Sequence, residues 1–287
     1  MGVKTVTPAE LHRLHPDAVY IQSEVPAEAR DDWGWAWSDG ECYGFAARWK
    51  GRVGWLTFDG PRERAAALYC AVLAELPTRP AGFTLPRGGE RLLPAALGAD
   101  GVDHWDFRWT RSAPPHQEQE QLVSVESNPD DEELAMFLAE ASPSHSVEPG
   151  DPKIRRWVSV RDADGRLLAI GADTRRPSTG VANIASIATR PAARGRGLGA
   201  AITAWLTRRI FADGGELATL GMYSDNAVAQ RLYTRLGFAP GVRYSSGRIG
   251  GAAGRVASGP VAEGCSKPVS RSREGTREPS RSRREAT

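Results

Sequence analysis

The sequence predicts an α/β fold, a mixed central sheet flanked by helices, preceded by an α+β accessory domain. Three observations carry this. From Leu122 to Ile249 the apolar pattern reads strand, helix, three strands, helix, strand, helix, strand, the succession of a sheet with parallel and antiparallel neighbours. Inside that stretch a glycine-rich turn, "RPAARGRGLGAA" (Arg190 to Ala201), separates a buried-looking strand from an amphipathic helix. Ahead of it, residues 1–113 show strands of period two, then a helix, then another strand.

Taken in order, "DDWGWAWSDG" sets Trp33, Trp35 and Trp37 at a period of two, a strand. "CYGFAARWKGRVGWLTFDG" reads as two strands turning at Lys50-Gly51. "PRERAAALYCAVLAEL" is a helix with Pro61 at its first position, and "DHWDFRWT" is a closing strand. The tryptophan stripe is read as core in preference to a ligand groove. After the polar, proline-bearing linker at 114–121, "LVSVES" is a strand. "NPDDEELAMFLAEAS" is a helix whose acidic first turn suits the helix dipole. "RRWVSVRDADGRLLAIGAD" is a hairpin turning at Asp164-Gly165, and "VANIASIAT" a buried strand. Beyond the glycine turn, Leu198, Ile202, Trp205, Leu206 and Ile210 form one helical stripe. A strand ("LATLGMYS"), a helix ("DNAVAQRLYTRLGF") and a last strand ("VRYSSGRI") complete the region 122–249.

Composition limits the alternatives. The 287 residues suffice for one large core or two ordinary ones, and 40% hydrophobic with 25% charged residues is a globular balance. No apolar run approaches membrane-spanning length, and no signal-peptide core opens the chain. Cys42, Cys70 and Cys265 are odd in number and far apart, which suggests no disulfide framework and a reducing, cytoplasmic setting. From Ser246 onward there are nine Lys or Arg against four Glu. Residues 250–287 hold almost no large apolar side chain, so a disordered basic tail is expected there. It is read as solvated, with nucleic-acid binding as the weaker reading.

The glycine turn is where function enters. Glycines between a strand and a helix let backbone amides approach a ligand, and the first helical turn offers unpaired N–H groups and a positive dipole end. Together these suit a phosphate or pyrophosphate. A nucleotide P-loop is excluded because no Lys follows Gly199. The dinucleotide fingerprint is formally met by Gly195, Gly197 and Ala200, but its acidic partner is misplaced, since Glu216 precedes the next strand.

The third class is a coenzyme A thioester. "Arg194-Gly195-Arg196-Gly197-Leu198-Gly199" resembles the Arg/Gln-x-x-Gly-x-Gly/Ala motif of the GNAT superfamily of N-acetyltransferases. "DNAVAQRLYTRLGF", Asp225 to Phe238, resembles that family's Asn-x-x-Ala-x-x-x-Tyr-x-x-x-Gly-Phe block. Read physically, Asp225 or Asn226 caps a helix, and Asn226, Ala229 and Tyr233 share one face with a shallow groove at the alanine.

The resemblance implies a GNAT-like fold over 122–249 and acetyl transfer from acetyl-CoA, without a metal, to a primary amine of a small molecule or peptide. It places the pyrophosphate on amides from Gly195 through Gly197, Leu198 and Gly199 to Ala200, helped by Arg194 and Arg196. It assigns Asn226 to the co-substrate, a backbone N–H of Ile187, Ala188 or Thr189 to the thioester oxygen, and Tyr233 to protonation of the leaving thiolate. Many relatives carry a Glu on the strand before the turn. From Val181 to Thr189 this chain has none, with Asn183 and Ser186 instead, so the base is a water relay or a carboxylate such as Asp173 or Glu216. That departure keeps open a non-catalytic acyl-CoA-binding or regulatory module. His145, in the loop expected to wall the acceptor site, is read as solvated. Residues 1–113 lack both motifs and are read as a degenerate second copy of the fold or a lid over the acceptor pocket.

Overall fold

The computed structural model describes residues 4–28, 33–49, 52–76 and 78–250. The turn expected at Lys50-Gly51 and the tail from residue 251 onward lie outside the described residues.

The first half runs β1 (Lys4–Val6), α1 (Pro8–Leu14), α2 (Val19–Glu24), β2 (Gly34–Ser38), β3 (Tyr43–Trp49), β4 (Arg52–Asp59), α3 (Arg62–Glu75), β5 (Gly82–Pro86) and β6 (Ala99–Thr110). A 3-10 turn at Glu118–Leu122 leads into the second half. This comprises β7 (Ser124–Val125), α4 (Asp131–Ala141), β8 (Ile154–Arg161), β9 (Leu167–Arg175), β10 (Ala182–Thr189), α5 (Leu198–Ala212), β11 (Ala218–Tyr223), α6 (Ala227–Arg235) and β12 (Ala239–Ile249). The second half follows the succession expected from its periodicity. In the first half β1, α1, α2 and β5 are additions to the expected set, and Pro61 sits at the N-cap of α3, one residue before the helix.

Local chemistry accounts for the elements. Thr7 caps α1 through a reciprocal box, its hydroxyl accepting from the Glu10 amide while Glu10 Oε2 accepts from the Thr7 amide at 2.8 Å. Asp130 caps α4 by accepting from the amides of Glu132 and Glu133. Gly237, at φ +84°, closes α6 and lets the Phe238 amide reach back to the Tyr233 carbonyl at 2.9 Å.

All described strands join one 12-stranded sheet in the order β1-β2-β3-β4-β5-β12-β6-β11-β10-β9-β8-β7. Read from either end, the order gives five strands of one half followed by the sixth strand of the other. The halves thus repeat one topology and exchange their last strands: β6 lies between β11 and β12, and β12 lies between β5 and β6. The parallel pairs also correspond, β4 with β5 and β10 with β11, with α3 and α5 as the crossovers.

The exchange is held by packing. Tyr20 of α2 lies against Phe107, Trp105 and Tyr244, with ring centroids 5.0, 6.2 and 4.9 Å away. Each such ring stabilises by about 2–3 kcal/mol when fully buried. Helix α5 packs on β8 to β11 through Leu198, Ile202, Leu206 and Ile210, and α3 covers β3 to β5 through Ala65, Tyr69 and Val72. Trp33 and Trp37 enter separate cores, at 6% and 5% exposure, as the core reading of the stripe requires.

Candidate functional site

The site grows from an interruption in the sheet. Strands β10 and β11 pair only at Ala182–Ile184 with Ala218–Leu220, yet both continue, to Thr189 and Tyr223. Past Ile184 they diverge and leave a V. On its other edge β10 breaks register with β9 between Ala185 and Ala188, and Ser186 takes φ +49°, an unusual conformation for a non-glycine residue. Gly171 of β9 faces this bulge: a Cβ there would lie 2.5 Å from Ile187 Cδ1 and 2.6 Å from Ile202 Cγ2. The Arg190 amide donates to the Leu168 carbonyl of β9. Strand alternation then turns the Ala188 amide to the same side and the Thr189 amide into the V, while Ile187 lies within the bulge.

The turn from β10 to α5 lies at the top of the V. Arg190 anchors its start, donating to the Leu167 carbonyl at 2.9 Å and pairing with Glu140 at 2.6 Å. Arg194 donates to the Thr189 carbonyl at 3.2 Å and the Ala141 carbonyl at 3.1 Å, so it ties the turn to β10 and α4. Gly195 and Gly197 have φ of +80° and +79°, a region that glycine enters without strain. Gly197 is the N-cap of α5 and its carbonyl accepts from the Ala201 amide at 3.0 Å. The amides of Leu198, Gly199 and Ala200 are therefore the unpaired donors of the first turn. Leu198 and Ala200 bury their side chains in the core beneath, and the amides point along the helix axis out of its open end. Arg196 is exposed and makes no ion pair among the described residues. This open, donor-rich turn fits a pyrophosphate.

Helix α6 forms the facing wall. Asn226, not Asp225, is its cap, with Oδ1 accepting from the Ala229 amide at 3.0 Å, so only its side-chain N–H₂ is left to face a ligand. Tyr233 lies 8% exposed against Phe238, and its hydroxyl has no hydrogen-bond partner among the described residues. Burial pushes its pKa up to about 12.

The other face explains the missing carboxylate. Asn183 Oδ1 accepts from Arg176 at 3.0 Å, and Ser186 exchanges two 3.1 Å hydrogen bonds with the Val147 backbone, so these two β10 side chains are structural. Asp173 is fully buried and bridged to Arg175 at 2.6 Å and Arg156 at 3.3 Å. Burial raises its pKa against the pull of those arginines. Glu216 is exposed just ahead of β11, at the end of that strand away from the V. His145 departs from the solvated reading. Its side chain is 11% exposed, Nδ1 lies 2.9 Å from the Ser142 carbonyl and Nε2 lies 3.0 Å from Glu148 Oε2. The loop it stiffens is docked on the bulge through Val147. Among the described residues no cluster of three His, Cys, Asp or Glu could hold a metal, and no helix is long and apolar enough to cross a membrane.

With this geometry in view, comparison with known proteins places the chain. Residues 109–238 match the model of the acetyltransferase (GNAT) family, and this part of the chain is a GNAT acetyltransferase domain. The mycothiol acetyltransferase of Actinosynnema mirum is 32% identical over 169 residues, 53% of this chain and 57% of that protein. The chain thus matches a little over half the length of this curated relative. Among solved structures, a Drosophila protein is similar at TM-score 0.53 with 13% identity, over 86% of this chain and 98% of that one. That likeness concerns the fold alone. A GCN5-related N-acetyltransferase from Kribbella flavida aligns at TM-score 0.46 with 18% identity, over 86% of this chain and 97% of that one.

Proposed function

We propose that this protein is an acetyl-CoA-dependent N-acetyltransferase that transfers the acetyl group to a primary amine by direct attack on the thioester. The observation that carries the reading is the V between β10 and β11 opening onto the glycine-turned start of α5. Acetyl-CoA, when bound, supplies the activated acetyl group. The residues to hold its pyrophosphate are the amides of Gly195 to Ala200, with Arg196 adding charge and Arg194 fixing the turn. Asn226 borders the same groove. The Thr189 amide faces the position where negative charge builds on a carbonyl oxygen, the type of preorganised donor that lowers such a barrier most. Tyr233 holds a proton at Oη. With a pKa of about 12 it is protonated at neutral pH and offers a hydrogen bond to the thiolate as negative charge develops on the leaving sulfur.

The acceptor is a small-molecule or peptide amine, and the substrate of the mycothiol acetyltransferase is the first to try. With no carboxylate on β10, a water relay deprotonates the amine. We further assign residues 1–113 to an accessory unit, 114–121 to a linker and 122–249 to the acetyltransferase unit, working in the cytoplasm.

Calorimetric titration with acetyl-CoA tests the assignment, using wild type beside Gly197→Glu and Arg196→Glu. Wild type is expected to bind, Gly197→Glu not to bind, and Arg196→Glu to bind more weakly. An amine panel with thiol-release detection then reads turnover. No binding by folded wild type overturns the proposal, and binding without turnover on any amine selects the non-catalytic acyl-CoA module.

A further inference from the structure

The linker between the halves reaches the candidate site. Its 3-10 turn at Glu118–Leu122 is closed by a reciprocal box in which the Gln117 amide donates to Glu120 Oε1 at 2.6 Å. Glu120, 6% exposed, lies 3.3 Å from Arg208 of α5, and Val123 packs on the core under that helix. The strap is therefore fixed along α5, and one residue of it projects over the start of the helix. A Cβ built on Gly197 would lie 2.9 Å from Gln119 Oε1, 3.4 Å from its Cδ and 3.9 Å from its Nε2. The Gln119 carboxamide thus lies in contact with the cap residue of the proposed cradle. Its Nε2 makes one long contact, 3.5 Å to Glu118 Oε2, which leaves N–H groups to offer. A half-turn about the last side-chain bond exchanges Oε1 and Nε2 over Gly197.

We propose that Gln119 is a co-substrate-binding residue, its carboxamide donating to the pyrophosphate held at the start of α5. The proposal rests on the acetyl-CoA reading of that site. The chemistry is specific. The backbone amides of the first turn point along the helix axis, whereas Gln119 comes from the side, where the glycine leaves room. The donor is neutral, so unlike the arginines it adds selectivity without attracting every anion. It also gives a second reason for Gly197: any side chain would displace Gln119 even if the backbone tolerated it.

The test is calorimetry of full-length Gln119→Ala and Gln119→Glu with CoA. It is paired with the KM for acetyl-CoA and for acetyl-pantetheine, which lacks the pyrophosphate. Losing one hydrogen bond to a charged group predicts about a tenfold weaker Kd for the alanine variant. The glutamate variant, with a carboxylate facing the phosphates, is expected to bind more weakly still and to recover partly at high salt. The acetyl-pantetheine KM should stay within about twofold of wild type, which a general distortion of α5 would not allow. Wild-type affinity in Gln119→Ala overturns the proposal, as does tighter binding, which would make the strap a block on the cradle. Failure of wild type itself to bind CoA overturns the underlying reading and is seen before any variant is tested.

Discussion

The two halves of the sheet share a topology, and two of the connections in which they differ bear on the site. In the second half residues 190–197 intervene between β10 and α5, with two left-handed glycines and an open helix start. In the first half β4 passes into α3 through Gly60 and Pro61 alone. Pro61 brings no N–H and makes no side-chain cap, and Arg62 behind it pairs with Glu63 at 2.5 Å. After β11 the chain forms α6 with Tyr233, whereas after β5 there are only two 3-10 turns, at Gly89–Leu92 and Ala95–Leu97. Yet the first half has a V of its own, since β4 and β5 pair only at Trp55–Thr57 with Gly82–Thr84. A diverging strand pair is therefore a property of the frame. What makes one V a candidate site is the pair of connections built around it.

The comparison breaks first if either half stands alone. Because β6 separates β11 from β12, residues 122–250 expressed by themselves are expected to lose cooperative urea unfolding entirely. Co-expression with residues 1–121 should restore it. A folded, acetyl-CoA-binding fragment would show that the exchanged strands are dispensable.

The connections are tested next. Tyr233→Phe removes only the hydroxyl, so kcat should fall about 100- to 1000-fold, the scale of a lost general acid, while the Kd for acetyl-CoA stays within about twofold. Unchanged kcat would strip Tyr233 of its role and leave it as core.

The smallest effect lies in the first half. Asp59 Oδ2 accepts from Tyr43 at 2.6 Å and from Tyr244, on the exchanged strand β12, at 3.1 Å. Tyr244→Phe should destabilise by about 1–3 kcal/mol without altering acetyl-CoA affinity. Burial also raises the Asp59 pKa, opposed by its hydrogen bonds. A carboxyl raised on folding contributes stability that is present below its unfolded pKa and declines as pH rises through the folded value. In Asp59→Asn this decline should disappear from the stability-against-pH profile measured from pH 4 upward, and persistence of the full slope would assign it to other groups.

Sequence reading succeeded where the determinants are local. The stripe from Leu198 to Ile210, the caps at Asn226 and Gly237 and the Asp164-Gly165 turn each act within a few residues. Helix α1 was missed although Thr7-Pro8-Ala9-Glu10 carries a capping-box signature; at seven residues, with Leu11 alone fully buried, it shows too little periodicity. The exchange of β6 and β12 was out of reach. "DHWDFRWT" identifies a strand, but which neighbours it takes is decided by Tyr20, Tyr43 and Asp59 far away in the chain. The structural role of Asn183 and Ser186 was hidden for the same reason, since Arg176 and Val147 meet them only in three dimensions. Gln119 carried no mark at all in a polar linker.

The interlocked strands have a bearing on what the chain can lose. A half that stood alone could be removed without harm to the other. Here it cannot be, because its last strand fills the middle of the other half's sheet and its own gap is filled in return. Architecture by itself is a reason for the chain to keep the first half, whatever it binds.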